Sequence, residues 1–247
     1  MFKLFSRSTR PSTKTDFSLL KADMHSHLIP GIDDGAPDME TSLRLVRGMM
    51  DLGYKKLITT PHIMWDMYHN TREGILEKLE TLRSAVKAEG LNVEINAAAE
   101  YFLDDYMEGL VKKNEPLLTI SGNMVLVEFS MANPSMSLKG ILFDMQMQGY
   151  LPVIAHPERY IYLEHNKEFY EELKTIGCLF QLNILSLTNY YGKSVHKLAQ
   201  YLINRDYYEI VGADLHHERH LAALHDPALT APLKKLLDSG KIINDRL

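Results

Sequence analysis

Two hydrophobic periods take turns along this chain, and the switch between them recurs at regular intervals. Short apolar runs of β character are followed by longer stretches where apolar residues return every three or four positions. Residues 20–27 read as a first strand. Over 39–52 the spacing puts Leu43, Val46, Met49 and Met50 on one helical face, opened by Pro37 and Asp38 and stopped by Gly53. Residues 55–60 (KKLITT) are the next β-type run, just ahead of Pro61-His62. A helix then starts at Asn70 or Thr71, repeats Ile75, Leu79, Leu82 and Val86, and stops at Gly90. Residues 93–99 are strand-like and run into Glu100, with a short helix expected over 104–113.

The same unit continues to the end of the chain. Strand 123–127 delivers Glu128, helix 138–148 closes on Gly149, and strand 151–155 leads into His156-Pro157-Glu158-Arg159. Helix 166–176 closes on Gly177, strand 178–182 leads into Asn183, and helix 193–205 follows. Strand 208–211 leads into Gly212-Ala213-Asp214-Leu215-His216, and a last helical stretch lies within 226–237. Alternating strands and helices identify an α/β protein with parallel strands. Seven or eight such units in 247 residues favour a closed parallel barrel over an open doubly wound sheet. No glycine-rich nucleotide fingerprint follows the first strand, which lowers the open-sheet option further. Residues 1–20 read as a flexible, weakly basic tail carrying Lys3, Arg7, Arg10 and Lys14, and 21–247 as one domain.

Composition mainly excludes. A net charge of −5 gives no electrostatic case for a nucleic-acid partner. No apolar run is long enough to span a bilayer, and the N-terminus lacks the apolar core of a secretory signal. The single cysteine, Cys178, allows no intramolecular disulfide, so a reducing, cytoplasmic setting is expected. Cys178 itself reads as a small core residue. The position where a thiol phosphatase would carry its arginine, six on from the cysteine, is Ile184.

The chemistry collects where the strands end. His25 and His27 alternate in the first strand and share a face. Alone, they would pass for ordinary surface histidines. The later strands, however, end at His62, Glu100, Glu128, His156, Asn183, Asp214 and His216. A parallel barrel places its active site at that end of the strands. Imidazole and carboxylate without thiolate suit manganese, iron, zinc or magnesium. So many ligands exceed what one ion uses, so a cluster of two or three is expected. Such clusters generate a hydroxide at neutral pH and clamp an in-line displacement at phosphorus. An amidohydrolase barrel is the runner-up, though no lysine stands at a strand end to bridge two ions. His69, His165, His196 and His225 read as surface residues, and His217 and His220 as near the site without a role. Asn183 reads as satisfying backbone groups at its strand end. The loop after His62 holds Trp65 and Tyr68, either of which could wall an aromatic substrate or simply pack on the rim.

The ordered motifs D-M-H-S-H, I-D-D-G, T-T-P-H, A-A-A-E-Y, V-E-F-S, V-I-A-H-P-E-R-Y and G-A-D-L-H resemble the polymerase and histidinol phosphatase (PHP) superfamily. Within it the chain is similar to the bacterial capsule-locus protein tyrosine phosphatases. The resemblance implies a distorted, TIM-like parallel (β/α)7 barrel with three divalent metal ions, manganese first among the candidates. His25, His27 and Asp214 would hold one ion, with Glu100 bridging it to a second completed by Glu128 and His156. Asp34, His62 and His216 would hold the third. Other branches have histidine where this chain has Asp34 and Glu128. Arg159 matches a phosphate-binding arginine, although a surface pair with Glu158 or Glu164 is the plainer alternative, and Arg219 is a second candidate. The implied reaction is phosphotyrosine-protein hydrolysis by metal-bound hydroxide. Its implied partner is the tyrosine-rich tail of a bacterial kinase that regulates exopolysaccharide synthesis. A small-molecule phosphatase such as one for histidinol phosphate, or a metal-binding regulatory module without turnover, are the alternatives.

Overall fold

A computed structural model describes residues 15–247. The expectation of a flexible tail over residues 1–14 therefore lies outside the described residues. Residues 15–20 are not tail-like. Phe17 and Leu20 are buried, and Phe17 donates its backbone N–H to the Leu52 carbonyl at 2.7 Å. An aromatic and a leucine at these positions bury apolar area against the end of the first helix, so the packed body starts earlier than the sequence implied.

Among the described residues, nine strands and eight α-helices follow one another. They are β1 (Ala22–Asp23), α1 (Met39–Asp51), β2 (Lys56–Thr59), β3 (His62–Ile63), α2 (Arg72–Ala88), β4 (Glu94–Ala97) and β5 (Glu100–Phe102). Then come α3 (Asp105–Lys112), β6 (Met124–Glu128), α4 (Leu138–Met147), β7 (Leu151–Ala155), α5 (Glu168–Ile176), β8 (Leu179–Asn183) and α6 (Lys193–Asn204). The chain ends with β9 (Ile210–Gly212), α7 (Glu218–Leu224) and α8 (Thr230–Leu237). All strand pairs are parallel. They form a three-stranded sheet, β1-β2-β4, and a six-stranded one, β3-β5-β6-β7-β8-β9.

The first three expected strands are shorter or broken, and each break has a local cause. After Asp23 the chain leaves the β2 ladder. His25 and His27 then bond to the far end of the fold, with Asp214 N–H donating to His25 O at 2.7 Å and His27 N–H to Leu215 O at 2.9 Å. A parallel bridge joins Ser26 to Leu215. The 55–60 run continues past Pro61, which has no N–H to give, and resumes as β3. The 93–99 run is interrupted at Ala98-Ala99 and resumes as β5 with Glu100 as its first residue.

Helix faces follow the periodicity closely. On α2 the buried residues are Ile75, Leu79, Leu82 and Val86, and on α1 they include Leu43, Leu45, Val46 and Met49, with Met50 only partly covered. Asp38 caps α1 by accepting from Thr41 N–H at 2.7 Å, and Thr71, not Asn70, caps α2. Glycines stop four helices in the left-handed conformation, and Asn114 and Asp206 take that place after α3 and α6. Helix α7 lies ahead of the helical stretch expected over 226–237. It is short, and His217 caps it by accepting from His220 N–H.

Candidate metal centre

Strand ends aim the expected side chains into one space. His25, His27, Glu100, Glu128, His156 and Asp214 are buried, and His62 is 8% exposed. Two of them sit at residues with left-handed backbone, His156 at φ 33° and Asp214 at φ 50°. That conformation costs a non-glycine residue about 1–3 kcal/mol and concentrates at functional sites. Here it turns each side chain inward just as its strand ends. Gly212 makes room for this. A Cβ there would lie 2.6 Å from His25 Cβ and 2.8 Å from Gln181 Nε2.

Glu100 is the hub of the cluster. Its Oε2 lies 3.1 Å from His25 Nε2, 3.5 Å from His27 Nε2 and 3.3 Å from His62 Nδ1, and its Oε1 lies 3.1 Å from His156 Nε2. Glu128 Oε1 is 3.0 Å from His62 Nδ1, while its Oε2 is 3.9 Å from His156. Asp214 Oδ1 is 3.3 Å from His25 and 3.7 Å from His27. Asp34 Oδ1 lies 3.5 Å from both His62 Nε2 and His216 Nε2. Four overlapping groups result, each with donor atoms within 4.8 Å of one another: His27, Asp34, His62, His216; His25, His27, Glu100; His25, His156, Asp214; and His62, Glu100, Glu128. All nine expected ligands are therefore brought together. The grouping differs from the expected partition in three respects, since Glu128 lies nearer His62 than His156, His156 groups with His25 and Asp214, and His27 also joins the Asp34 group.

The donor set fits divalent ions. Ligands held about 2.0–2.3 Å from a shared ion must converge in this way. Buried His27 Nε2, His62 Nδ1, His156 Nδ1, Glu128 Oε1 and Asp214 Oδ1 have no hydrogen-bond partner. Such atoms are costly unless something else coordinates them.

A second layer orients the first. His25 Nδ1 faces Gln181 Oε1 at 2.8 Å, His27 Nδ1 faces Asp33 Oδ2 at 2.8 Å, and His216 Nδ1 faces the Asp214 carbonyl at 3.0 Å. In each case Nε2 is left for the centre. Asp214 Oδ2 accepts from Arg159 Nη1 at 2.7 Å and from Asn183 Nδ2 at 2.9 Å, which leaves Oδ1 toward the imidazoles. Residue type alone assigns Gln181 no role, and Asn183 reads as serving the backbone. It does so, accepting from Leu185 N–H, but it also holds Asp214. The available signal was alternation, because positions 181 and 183 share a strand face and carry amides in an otherwise apolar run.

The charges are balanced within the cluster. Burial alone would push His25 down, but Glu100 and Asp214 push it up to about 9. His62 goes to about 10 despite its burial, through Glu100 and Glu128. Burial works against the charged form of Asp34, and His216 outweighs it, bringing the carboxyl to about 2.

Above the cluster opens a cavity of about 320 Å³. Arg159 lines it, with its guanidinium 4.8 Å from the Tyr191 ring. Arg159 pairs with Asp214 rather than with Glu158, which is buried and accepts from Asn183 N–H and Tyr208 O–H. Arg219 is exposed on α7 and does not line the cavity, whereas His217 and His220 from the same turn do. Arg219 falls in the first turn of α7, between the two histidines that reach the cavity, and its own side chain stays in solvent. The two aromatic candidates also part company. Trp65 stacks on Tyr106 at 4.0 Å and packs its loop against α3, while Tyr68 lines the cavity and stacks near His62 at 5.5 Å. Among the other histidines, His69, His165 and His225 are exposed, and His196 faces the Ser186 carbonyl.

Comparison with known proteins places this arrangement. The tyrosine-protein phosphatase CpsB of Streptococcus pneumoniae is 33% identical over 201 residues, covering 79% of this chain and 82% of that protein. The tyrosine-protein phosphatase YwqE of Bacillus subtilis (strain 168) is 27% identical over 195 residues, covering 79% of this chain and 77% of its own. A solved structure from work on Bacillus subtilis YwqE and Streptococcus pneumoniae CpsB, described as unique metal-dependent tyrosine phosphatases, matches with a TM-score of 0.75 at 25% identity. It covers 88% of this chain and 91% of that one. An amidohydrolase from Mycoplasma synoviae matches in fold alone, with a TM-score of 0.51 at 16% identity over 94% of this chain and 87% of that one. The family model for capsular polysaccharide synthesis, CpsB/CapC, matches residues 21–236, and the chain belongs to that family.

Proposed function

We propose that this chain is a metal-dependent phosphotyrosine-protein phosphatase. The observation that carries it is one cavity lined by seven of the nine convergent imidazoles and carboxylates, with buried His25 and His27 completing the cluster, an arginine on its wall and Tyr68 at its side. The relatives named as tyrosine-protein phosphatases support the same reading. We assign three divalent ions, manganese first, to His25, His27 and Asp214; to Glu128 and His156, with Glu100 shared; and to Asp34, His62 and His216. Bound there, the ions would supply Lewis acidity and a nucleophile at neutral pH.

The chain's own residues do the rest. Arg159, already held by Asp214 and Tyr191, offers its remaining N–H groups to the phosphoryl oxygens and stabilises charge that grows as the ester bond breaks. Tyr68 lies beside His62, where the phenyl ring of phosphotyrosine would extend from the phosphorus. Buried Cys178, its thiol pushed up to about 12 by burial, takes no part. We read the strand ring closed through Ser26 and Leu215 as a distorted (β/α)7 barrel formed by one domain. The tyrosine-rich tail of a bacterial kinase, reached in the cytoplasm, is the proposed substrate. No described helix is long and apolar enough to cross a membrane.

The test is turnover on phosphotyrosine, phosphoserine and histidinol phosphate, with elemental analysis of the same sample. Preference for phosphotyrosine with more than one divalent ion per chain supports the proposal. Preference for histidinol phosphate would replace it with the small-molecule reading, and no turnover on any of them would leave a binding module.

A further inference from the structure

Two neighbouring carboxylates follow the first strand, and they turn opposite ways. Asp34 is half exposed and reaches the cavity, where it meets His62 and His216. Asp33 is withdrawn completely, with no exposed side-chain surface. Its Oδ2 lies 2.8 Å from His27 Nδ1 and accepts the His62 backbone N–H at 3.2 Å, while its Oδ1 accepts the Gly35 N–H at 2.9 Å. A carboxylate can only accept, so His27 must carry its proton on Nδ1. That leaves His27 Nε2 as the nitrogen with a free lone pair, and it is buried without a partner.

The loop is built to hold Asp33 in this position. Gly35 permits the turn, since a Cβ there would come within 2.3 Å of the His27 carbonyl oxygen. Ala36 N–H closes the turn on that same oxygen at 3.0 Å. From the other side, Asn70 Nδ2 donates to the Ile32 carbonyl at 2.9 Å and to the His62 carbonyl at 2.8 Å. The loop is thus fastened to the strand segment that carries His62.

We infer that Asp33 is a positioning residue of the metal centre: it fixes the tautomer of His27, aims Nε2 at the shared space, and strengthens that nitrogen as a donor through its negative charge. One carboxylate thereby governs His27 directly and, through the backbone N–H, the placement of His62, and these two imidazoles link adjoining ligand groups. Carboxylate–imidazole–metal relays of this kind typically change metal affinity by about 10–100-fold when the outer carboxylate is altered. The inference rests on the metal-centre part of the proposed function and extends it to a residue that touches no substrate.

The experiment titrates metal-free wild type and Asp33→Asn with Co²⁺ alone, reading affinity and the visible absorption of the bound ion. The amide keeps the size and removes the charge. The expected result is about 10–100-fold weaker binding in one phase of the titration, with an altered Co²⁺ spectrum, in a metal-free protein that still unfolds cooperatively on heating. Wild-type affinity and spectrum in Asp33→Asn would overturn the inference and reduce Asp33 to a tie for the loop. A measurement on the wild type keeps it testable if the variant does not fold. With Zn²⁺ bound, nitrogen-15 NMR of the histidine rings should show His27 protonated at Nδ1 and ligated through Nε2. Ligation through Nδ1, or a proton on Nε2, would overturn it equally. Because metal uptake rather than turnover is read, these outcomes stand apart from phosphotyrosine hydrolysis, and a wild type that takes up no divalent ion would sink the metal centre itself.

Discussion

Glu100 is the residue on which the cluster converges. It is completely buried and touches four imidazoles, and His25 and His62 hold it well below the usual carboxylate range against the effect of burial. A carboxylate in such a place is stabilised only by the cations around it, whether imidazolium or metal. Glu100→Ala should therefore abolish aryl-phosphate turnover and lower the metal content together, as read by steady-state kinetics and elemental analysis on one preparation. Near-normal turnover with full metal would remove Glu100 from the centre. His156 and Asp214 make the complementary point about backbone, since each accepts a strained conformation to turn its side chain inward.

Elements deliver these side chains only because three expected strands do not run straight. The break at Thr60-Pro61 frees His62 to begin a new segment, and the break at Ala98-Ala99 does the same for Glu100. Strand β9 must also approach β8 and the His25 segment closely. Gly212→Ala should therefore destabilise the protein by about 1–3 kcal/mol through overpacking and disturb His25 through Gln181, seen as a lower melting temperature and lost metal. A stable, fully metallated Gly212→Ala protein would contradict the packing argument. The β3–α2 loop carries Tyr68, the ring that lines the cavity. Tyr68→Ala should lower kcat/KM for a phosphotyrosine peptide by roughly ten-fold and leave a small alkyl phosphate nearly unchanged. Trp65→Ala, acting through its stack on Tyr106, should affect both substrates alike.

For the molecule as a whole, protons and the proposed metal ions would compete for the same interior. In metal-free protein the carboxylates raise His25 from 6.5 to about 9 and His62 from 6.5 to about 10. Groups raised in the folded state contribute stability that is fully present below about pH 6.5 and is lost as pH rises through 9 and 10. The melting temperature of chelated protein should therefore fall between about pH 7 and 10. With Mn²⁺ in excess the fall should be smaller and the melting temperature higher, because bound ions replace the protons and add binding free energy to the folded state. Parallel melting curves across this pH range, with and without Mn²⁺, would show that the ions do not occupy this space.

Much of this protein could be read from its residues alone. Hydrophobic periodicity located the helices and most strands, because each must bury one face whatever its neighbours are. Eight of the nine convergent side chains were also legible, since a strand end is a local feature and chemistry-bearing residues recur at almost every one, whereas Asp34 came only from the family resemblance. Tertiary structure decided what depends on contacts distant in sequence. Asp33 and Asp34 are adjacent and chemically alike, and only the turn closed by Gly35 and the bond to His27 divide their roles. Gln181 and Asn183 gained theirs from His25 and Asp214, which come from other strands. Trp65 and Tyr68 were equivalent until packing against Tyr106 drew one away, and the start of α7 leaves Arg219 in solvent while bringing His217 and His220 to the cavity. Residue type and spacing set what a side chain can do; the packed partner, through geometry and burial, selects which of those possibilities it serves.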